Sequence, residues 1–214
     1  AWDVVTGTAG IMIAVLDSGI DLAHPDLVSK IWINQAEIRL NGVDDDQNGK
    51  VDDVKGWHFF HRWDGGSYVP DENGNVADDY AHGTHVADIL AGNRREPGSE
   101  VLLASGADIV FVHLAAPQLG ELGNLGDSVG LLEGLDFCRR QAAGRPCVLH
   151  LSAGKTGGEK RGQSPLERAV DAMLKEPGIV LVQSVGNYAH TAMHTQARVG
   201  PDQQHVLNWI IPGA

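Results

Sequence analysis

Two histidines three residues apart open a run that is otherwise largely apolar, AHGTHVADILAG at residues 81–92. His82 and His85 allow three interpretations: a metal-binding pair, two hydrogen-bonded core histidines, or one catalytic base beside a structural neighbour. The stretch lacks the His-Glu-x-x-His pattern of zinc peptidases, which disfavours a metal-binding pair. A histidine that acts as a base needs a second group to orient its imidazole, so the choice depends on what else the chain brings to the same place.

Two further polar side chains stand just after apolar runs. Asp17 ends the run IMIAVLD and is followed by Ser18 and Gly19, and Asn187 comes three residues after the run IVLVQS (179–184). A carboxylate is costly to bury unless it is hydrogen-bonded, and a glycine turn lets backbone N–H groups converge on it. Each residue alone also has a plain structural explanation, since Asp17 suits the cap of a helix in a tight turn and Asn187 suits a turn.

An acidic stretch, NGVDDDQNGKVDDVKGW at residues 41–57, alternates carboxylate and amide side chains around a glycine. The pattern matches the first half of an EF-hand-like loop, D-x-D-x-N-G, whose oxygen ligands suit calcium. Lys55 stands at the twelfth position in place of the bidentate glutamate, so we expect another group to complete the site. A solvated acidic turn is the alternative. The predicted calcium ligands are Asp44, Asp46, Asn48, the backbone carbonyl of Lys50, and Asp52 or Asp53.

The elements that must position these residues are short apolar runs rich in Val and Ile. The runs are continuous, which is typical of strands buried on both faces of a parallel sheet. Helical patterns lie between them, and in SPLERAVDAMLKE (164–176) Ser164, Pro165 and Glu167 are the signals of a capped helix start. The alternation predicts an α/β fold, a three-layer, doubly wound, mainly parallel sheet with helices on both faces, whose functional residues lie at the carboxyl ends of the strands. The predicted strands are residues 11–16, 108–114, 147–152 and 179–184.

The composition disfavours nucleic acid and membranes as partners. The 214 residues carry a net charge of −12, which disfavours nucleic acid and anionic membranes. No apolar run approaches the roughly 18 residues of a membrane span. The chain has two cysteines, Cys138 and Cys147, which are too few for a disulfide scaffold. They form either one disulfide bridge or a pair of buried thiols. The sequence starts with neither Met nor a basic-then-apolar leader, so we expect a removed leader or a start at a domain boundary.

Together, DSGIDLAHPDL (17–27), HGTHVA (82–87) and Gly186-Asn187 after a Val-rich run resemble the motifs of the subtilisin-like serine proteases, the subtilase or peptidase S8 family. The resemblance covers residues 1 to about 190. It implies a subtilisin-like fold in which His82 is the general base and Asp17 orients it and stabilises the imidazolium. Asn187 would donate a side-chain N–H to the oxyanion. By the same resemblance, His85 is structural.

The resemblance also implies a substrate, an extended polypeptide. It would add a strand against Ser152, Ala153 and Gly154, and against the loop that follows residues 113–114. The expected Ca²⁺ would hold surface loops and take no part in the chemistry. Calcium use and the family norm favour a secreted, periplasmic or cell-surface location.

The family's nucleophile lies in a Gly-Thr-Ser-Met-Ala-like segment that opens a long helix, and none follows Asn187 here. We therefore expect 1–190 to be a partial catalytic domain, truncated before the serine helix, and 191–214 to begin an inserted or divergent β segment. The chain is then a fragment of a protease whose C-terminal remainder carries the serine, one half of a split enzyme, or a pseudoprotease that serves as a peptide- or protein-binding scaffold. In each case this chain alone is expected to be inactive as a protease.

Overall fold

The computed structural model describes residues 7–78, 80–93, 103–115, 126–154, 161–187, 198–204 and 206. Within these residues the strands are β1 (Met12–Asp17), β2 (Gly56–His58), β3 (His61–Trp63), β4 (Tyr68–Pro70), β5 (Asp108–His113), β6 (Cys147–Leu151) and β7 (Ile179–Gln183). The helices in the same residues are α1 (His82–Ala91), α2 (Ser128–Ala142) and α3 (Pro165–Met173).

Five of the strands form the central sheet, in the order β2-β5-β1-β6-β7, and every neighbouring pair is parallel. All six residues of β1 are buried, as expected for a central strand covered on both faces. The four strands predicted from continuous apolar runs are confirmed. Parallel strands place all their carboxyl ends at one edge, so the residues that follow β1, β5, β6 and β7 share that edge.

Helices cover both faces of the sheet, which confirms the predicted three-layer architecture. On one face Ile13 and Val15 of β1 pack in a cluster with Ala87 and Ala91 of α1. On the other face Leu16 packs in a cluster with residues of α2, and α3 adds partly buried side chains to that cluster. Successive residues of a strand point to opposite faces, which is why neighbours in β1 belong to different clusters.

The structure confirms the helix start that the sequence predicts at Ser164, Pro165 and Glu167. The hydroxyl of Ser164 accepts a hydrogen bond from the backbone N–H of Glu167, whose carboxylate accepts one from the N–H of Ser164. Pro165 occupies the first helical turn, so α3 begins with a complete capping box. Asp127 caps α2 by accepting hydrogen bonds from the backbone N–H groups of Val129 and Gly130.

The short strands β2, β3 and β4 were not predicted, because three residues are too few to show a hydrophobic period. β3 and β4 pair antiparallel as a separate two-stranded sheet. Of the range 191–214 the structure describes only 198–204 and 206, so most of the predicted β segment lies outside the described residues.

The two cysteines are free thiols, which decides between the two expected states. Both are buried, and burial raises the pKa of Cys147 to about 11 and also raises that of Cys138 well above its ordinary value. Within the described part of the chain, no helix combines the length and the apolar character needed to cross a membrane.

Candidate active site

The side chains of Asp17 and His82 meet at the carboxyl end of β1. Asp17 is the last residue of β1 and is fully buried, whereas His82 is the first residue of α1 and its side chain is 33% exposed. His82 Nδ1 lies 2.6 Å from Asp17 Oδ1, which also accepts a 2.7 Å hydrogen bond from the backbone N–H of Ser18. With Nδ1 held by the carboxylate, Nε2 is the ring nitrogen left to exchange a proton.

A third acidic residue, Asp78, fixes the start of α1 against the turn that follows β1. Its carboxylate accepts a 3.0 Å hydrogen bond from the hydroxyl of Ser18, and that hydroxyl accepts one of 3.0 Å from the backbone N–H of Gly83. The Asp78 carboxylate also accepts hydrogen bonds from the backbone N–H groups of Tyr80, Ala81 and Thr84. The role of Asp78 is not predicted from the sequence, in which its only signal is an acidic residue shortly before a helix start.

Two glycines allow the close approach that the Asp17–His82 contact requires. A Cβ on Gly83 would collide with the backbone carbonyl oxygen of Gly19 and would lie 2.9 Å from the ring of Phe111. Gly19 has φ +114°, and a Cβ there would collide with the backbone of Ala77. Only glycine fits at either position, so the packing of α1 on the turn after β1 requires Gly19 and Gly83.

The other predicted site residues follow strands whose carboxyl ends share the edge with Asp17. Ser152, Ala153 and Gly154 come directly after β6, are partly buried, and the carbonyl of Ala153 accepts a 3.2 Å hydrogen bond from the side chain of Gln183. Asn187 is exposed, four residues beyond the end of β7. The expected substrate loop after residues 113–114 lies largely outside the described residues, since 116–125 are not described.

A second histidine, His150, lies close enough to Asp17 to interact with its charge. It belongs to β6, where Val15 of β1 and Val182 of β7 are its partners in register. Its Nδ1 is buried and has no hydrogen-bond partner within the described residues. Burial lowers the pKa of His150, and the negative charge of Asp17 only partly offsets that effect.

The acidic loop closes around a group of carboxylates, two of which were predicted. Asp44 and Asp46 each offer an oxygen within 4.8 Å of one another and of an oxygen of Glu37, which is 8% exposed and was not predicted. Glu37 lies seven residues before Asp44, outside the D-x-D-x-N-G pattern, and it receives hydrogen bonds from the backbone N–H groups of Asp45, Asp46 and Asp52.

The remaining predicted loop residues support this group in different ways. Asn48 donates its amide N–H to Asp46 and Asp53, at 3.0 and 2.9 Å. The carboxylate of Asp52 accepts hydrogen bonds from the backbone N–H groups of Asn41 and Gly42, and the side chain of Lys50 extends to Glu72. Asp53 is fully buried, and that burial, with a smaller effect of the Asp46 and Glu37 charges, raises its pKa to about 6. The loop thus concentrates negative charge, which suits a divalent cation.

The sequence matches a known protein family and individual proteases of that family. The profile of the subtilase family, peptidase S8, matches residues 8–214. Subtilisin-like protease 1 of Plasmodium vivax is 34% identical over 181 residues, which are 83% of this chain and 25% of that protein. An extracellular protease of Xanthomonas campestris is 27% identical over 195 residues, 88% of this chain and 31% of that protein.

Among solved structures, the fold is similar to that of the CspB protease of Clostridium perfringens. The TM-score is 0.59 at 20% identity, and the match covers 89% of this chain and 39% of that one. The chain therefore spans between a quarter and two fifths of the length of these proteases. The family match over nearly the whole sequence, on a parallel sheet with Asp17 and His82 in contact at its carboxyl edge, shows that the chain belongs to the subtilase family of serine proteases.

Proposed function

We propose that this chain is the aspartate- and histidine-bearing part of a subtilisin-type serine endopeptidase that hydrolyses peptide bonds. The observation that carries the proposal is the 2.6 Å contact between His82 Nδ1 and Asp17 Oδ1. A carboxylate at that distance fixes the tautomer of the imidazole and stabilises the imidazolium that forms when Nε2 takes a proton. His82 then acts as general base toward a serine hydroxyl, and afterwards as general acid toward the leaving amine.

The substrate in this proposal is an extended polypeptide that runs along the carboxyl edge of the sheet. Ser152, Ala153 and Gly154 carry small or no side chains, so a peptide backbone can approach them and pair as an added strand. Asn187 follows the neighbouring strand β7 and is exposed, so its amide is free of the core and can donate to the oxyanion of the tetrahedral intermediate. Loss of such a donor costs roughly 3–4 kcal/mol of transition-state stabilisation.

The nucleophilic serine is proposed to lie in a C-terminal remainder of the protease, which would pack on this chain. An apolar surface supports this proposal: Val180 and Val182 of β7 and Val185 beyond it are 54%, 48% and 97% exposed. Exposed apolar surface at the edge of a parallel sheet is typical of a site that another element covers.

We assign the acidic loop to Ca²⁺ in a structural role. Glu37, Asp44 and Asp46 supply the convergent carboxylate oxygens that calcium prefers, with Asn48, the backbone carbonyl of Lys50 and Asp52 as the further ligands proposed from the sequence pattern. An ion that binds only the folded chain stabilises it by mass action. Calcium use and the presence of an extracellular protease among the relatives favour a secreted, periplasmic or cell-surface location.

The experiment that tests the function is covalent labelling with a fluorophosphonate serine probe in the presence of calcium. We expect the longer polypeptide that carries the serine to label and this chain alone to remain unlabelled. In the longer polypeptide, His82→Ala should abolish labelling, whereas His85→Gln on the same helix, which removes an exposed imidazole, should leave it intact. Absence of labelling in the longer polypeptide would contradict the proposal and favour a peptide-binding pseudoprotease.

A further inference from the structure

A group of polar side chains outside the active site brings one imidazole and two carboxylates to a common point. The groups are His61 on β3, Glu72 just beyond β4, and Glu133 on α2, and each offers one ligand atom within 4.8 Å of the other two. The sequence does not suggest this group, because its members come from three separate elements. It is also distinct from the acidic loop, since none of the three is among the residues proposed to bind calcium there.

The imidazole of His61 is the most informative member of the group. Its side chain is only 8% exposed, and within the described residues its Nδ1 makes no aligned hydrogen bond. His61 Nε2 lies 3.7 Å from Glu133 Oε2, which is too long for a hydrogen bond. Two ligands about 2.1 Å from one Zn²⁺ at a tetrahedral angle are about 3.4 Å apart, so this spacing is close to that of two ligands of a shared ion.

The second nitrogen of His61 faces a carboxylate that supports such a site. Nδ1 lies 3.2 Å from Oδ2 of Asp127, the residue that caps α2. Histidines that bind metals through one nitrogen commonly hold a carboxylate on the other, which orients the ring and makes the bound nitrogen more basic. Asp127 is itself fixed, because its Oδ1 accepts hydrogen bonds from the backbone N–H groups of Val129 and Gly130.

The charged side chains around His61 carry a net negative charge, which would attract a divalent cation. Glu72, Glu133 and Asp127 bring three carboxylates, and Lys50, whose ammonium lies 2.9 Å from Glu72 Oε2, brings one positive charge. The same oxygen of Glu72 accepts a 2.9 Å hydrogen bond from the indole N–H of Trp57, which holds the carboxylate in place. Glu133 is 44% exposed, so an ion can reach the group from solvent.

We propose that His61, Glu72 and Glu133 bind a divalent transition-metal ion of the Zn²⁺ class, with Asp127 orienting His61. An imidazole with two carboxylates suits zinc, whereas calcium takes oxygen ligands. The ion would tie the β3–β4 hairpin to α2, because its ligands come from both. Three protein ligands leave at least one coordination position for water.

The test is a titration of Zn²⁺ into the full chain with saturating Ca²⁺, with a chromophoric zinc indicator as competitor. We expect one site whose affinity falls about 100-fold or more in His61→Gln and in Glu133→Gln, because each removes a ligand. Asp127→Asn should weaken binding by about 10–100-fold while leaving the helix cap intact, because Asn caps a helix as well as Asp does. His85→Gln is the matched control, because it removes an exposed imidazole and should not change the affinity.

Anomalous scattering from zinc-soaked crystals locates the ion. A peak between His61 Nε2 and the carboxylates of Glu72 and Glu133 is the expected result. The structure contains a competing group, His24, Asp26 and Asp88, which also offers three close ligand atoms. Zinc binding that is lost in His24→Gln and kept in His61→Gln would overturn the proposal, as would zinc binding that no His61, Glu72 or Glu133 substitution weakens. Because the readout is metal binding, it is independent of whether the chain takes part in proteolysis.

Discussion

Asp17 Oδ1 and His82 Nδ1 lie 2.6 Å apart, although the two residues are separated by 65 positions in the sequence. One stands at the end of a fully buried strand and the other at the start of a helix that packs on that strand. The contact is therefore held by two packed elements of secondary structure, and the fold itself fixes the orientation of the imidazole. A hydrogen bond of this length to an ionised carboxylate is among the stronger ones in proteins.

Substitution Asp17→Asn is the most direct probe of that contact. In the serine-bearing polypeptide we expect kcat to fall by about 10⁴-fold, because an amide no longer selects the tautomer that keeps Nε2 free to accept a proton. The measurement is hydrolysis of a chromogenic peptide, with the rate of fluorophosphonate labelling as a second readout. Asp171→Asn, on the exposed side of α3, is the matched control and should leave both rates unchanged. A loss of less than tenfold in Asp17→Asn would show that His82 does not depend on this carboxylate.

Gly83→Ala tests whether close packing of α1 on the sheet maintains the site. The added methyl group would meet the carbonyl oxygen of Gly19 and the ring of Phe111, both within the core. We expect the free energy of unfolding to fall by about 1–3 kcal/mol, because overpacking forces backbone shifts, and we expect catalytic activity to fall with it. Chemical denaturation measures the first effect. Gly66→Ala, in a position where a Cβ has ample space, should change the free energy of unfolding by less than about 1 kcal/mol.

The calcium proposal makes a prediction about Glu37, which the sequence pattern did not include. Because Glu37 is buried among Asp44 and Asp46, we expect Glu37→Gln to weaken Ca²⁺ binding at least tenfold and to reduce the rise in Tm that calcium causes. Isothermal titration and thermal unfolding, each with and without a chelator, measure the two quantities. Asp171→Asn again serves as the control for the loss of an exposed acidic group. Equal calcium affinity in the Glu37 variant and the wild-type chain would exclude Glu37 as a ligand, and the absence of calcium binding in both would contradict the calcium proposal.

The sequence predicts well those features that depend on local patterns. Continuous apolar runs predict the long strands, and Ser164 with Glu167 predicts the start of α3, because a cap needs only residues within one turn. The Asp-Ser-Gly and His-Gly-Thr motifs locate Asp17 and His82 through family resemblance. The part played by Asp78 was not predictable in this way, since its bond to Ser18 spans 60 positions. Glu37 was missed for a similar reason, because it enters the acidic loop from outside the ligand pattern.

The last prediction concerns pH and His150. Its pKa is lowered by burial in the folded chain, so the unfolded chain binds the proton more readily below the ordinary histidine pKa of about 6.5. The contribution of His150 to stability is therefore present above about pH 6.5 and is lost as the pH falls through that value toward the lower, folded-state pKa. The charged group that opposes this effect is Asp17, while the register neighbours Val15 and Val182 are apolar.

We expect the free energy of unfolding of His150→Gln, relative to that of the wild-type chain, to rise as the pH is lowered from 7.5 to 5, because glutamine does not titrate in this range. Urea unfolding at a series of pH values measures the difference between the two proteins. His85→Gln, which replaces an exposed imidazole on α1, controls for the general effect of removing a histidine. A difference between His150→Gln and the wild-type chain that stays constant across the series would contradict the assignment. A partly buried imidazole whose pKa is lowered in the folded chain must destabilise that chain more as the pH falls.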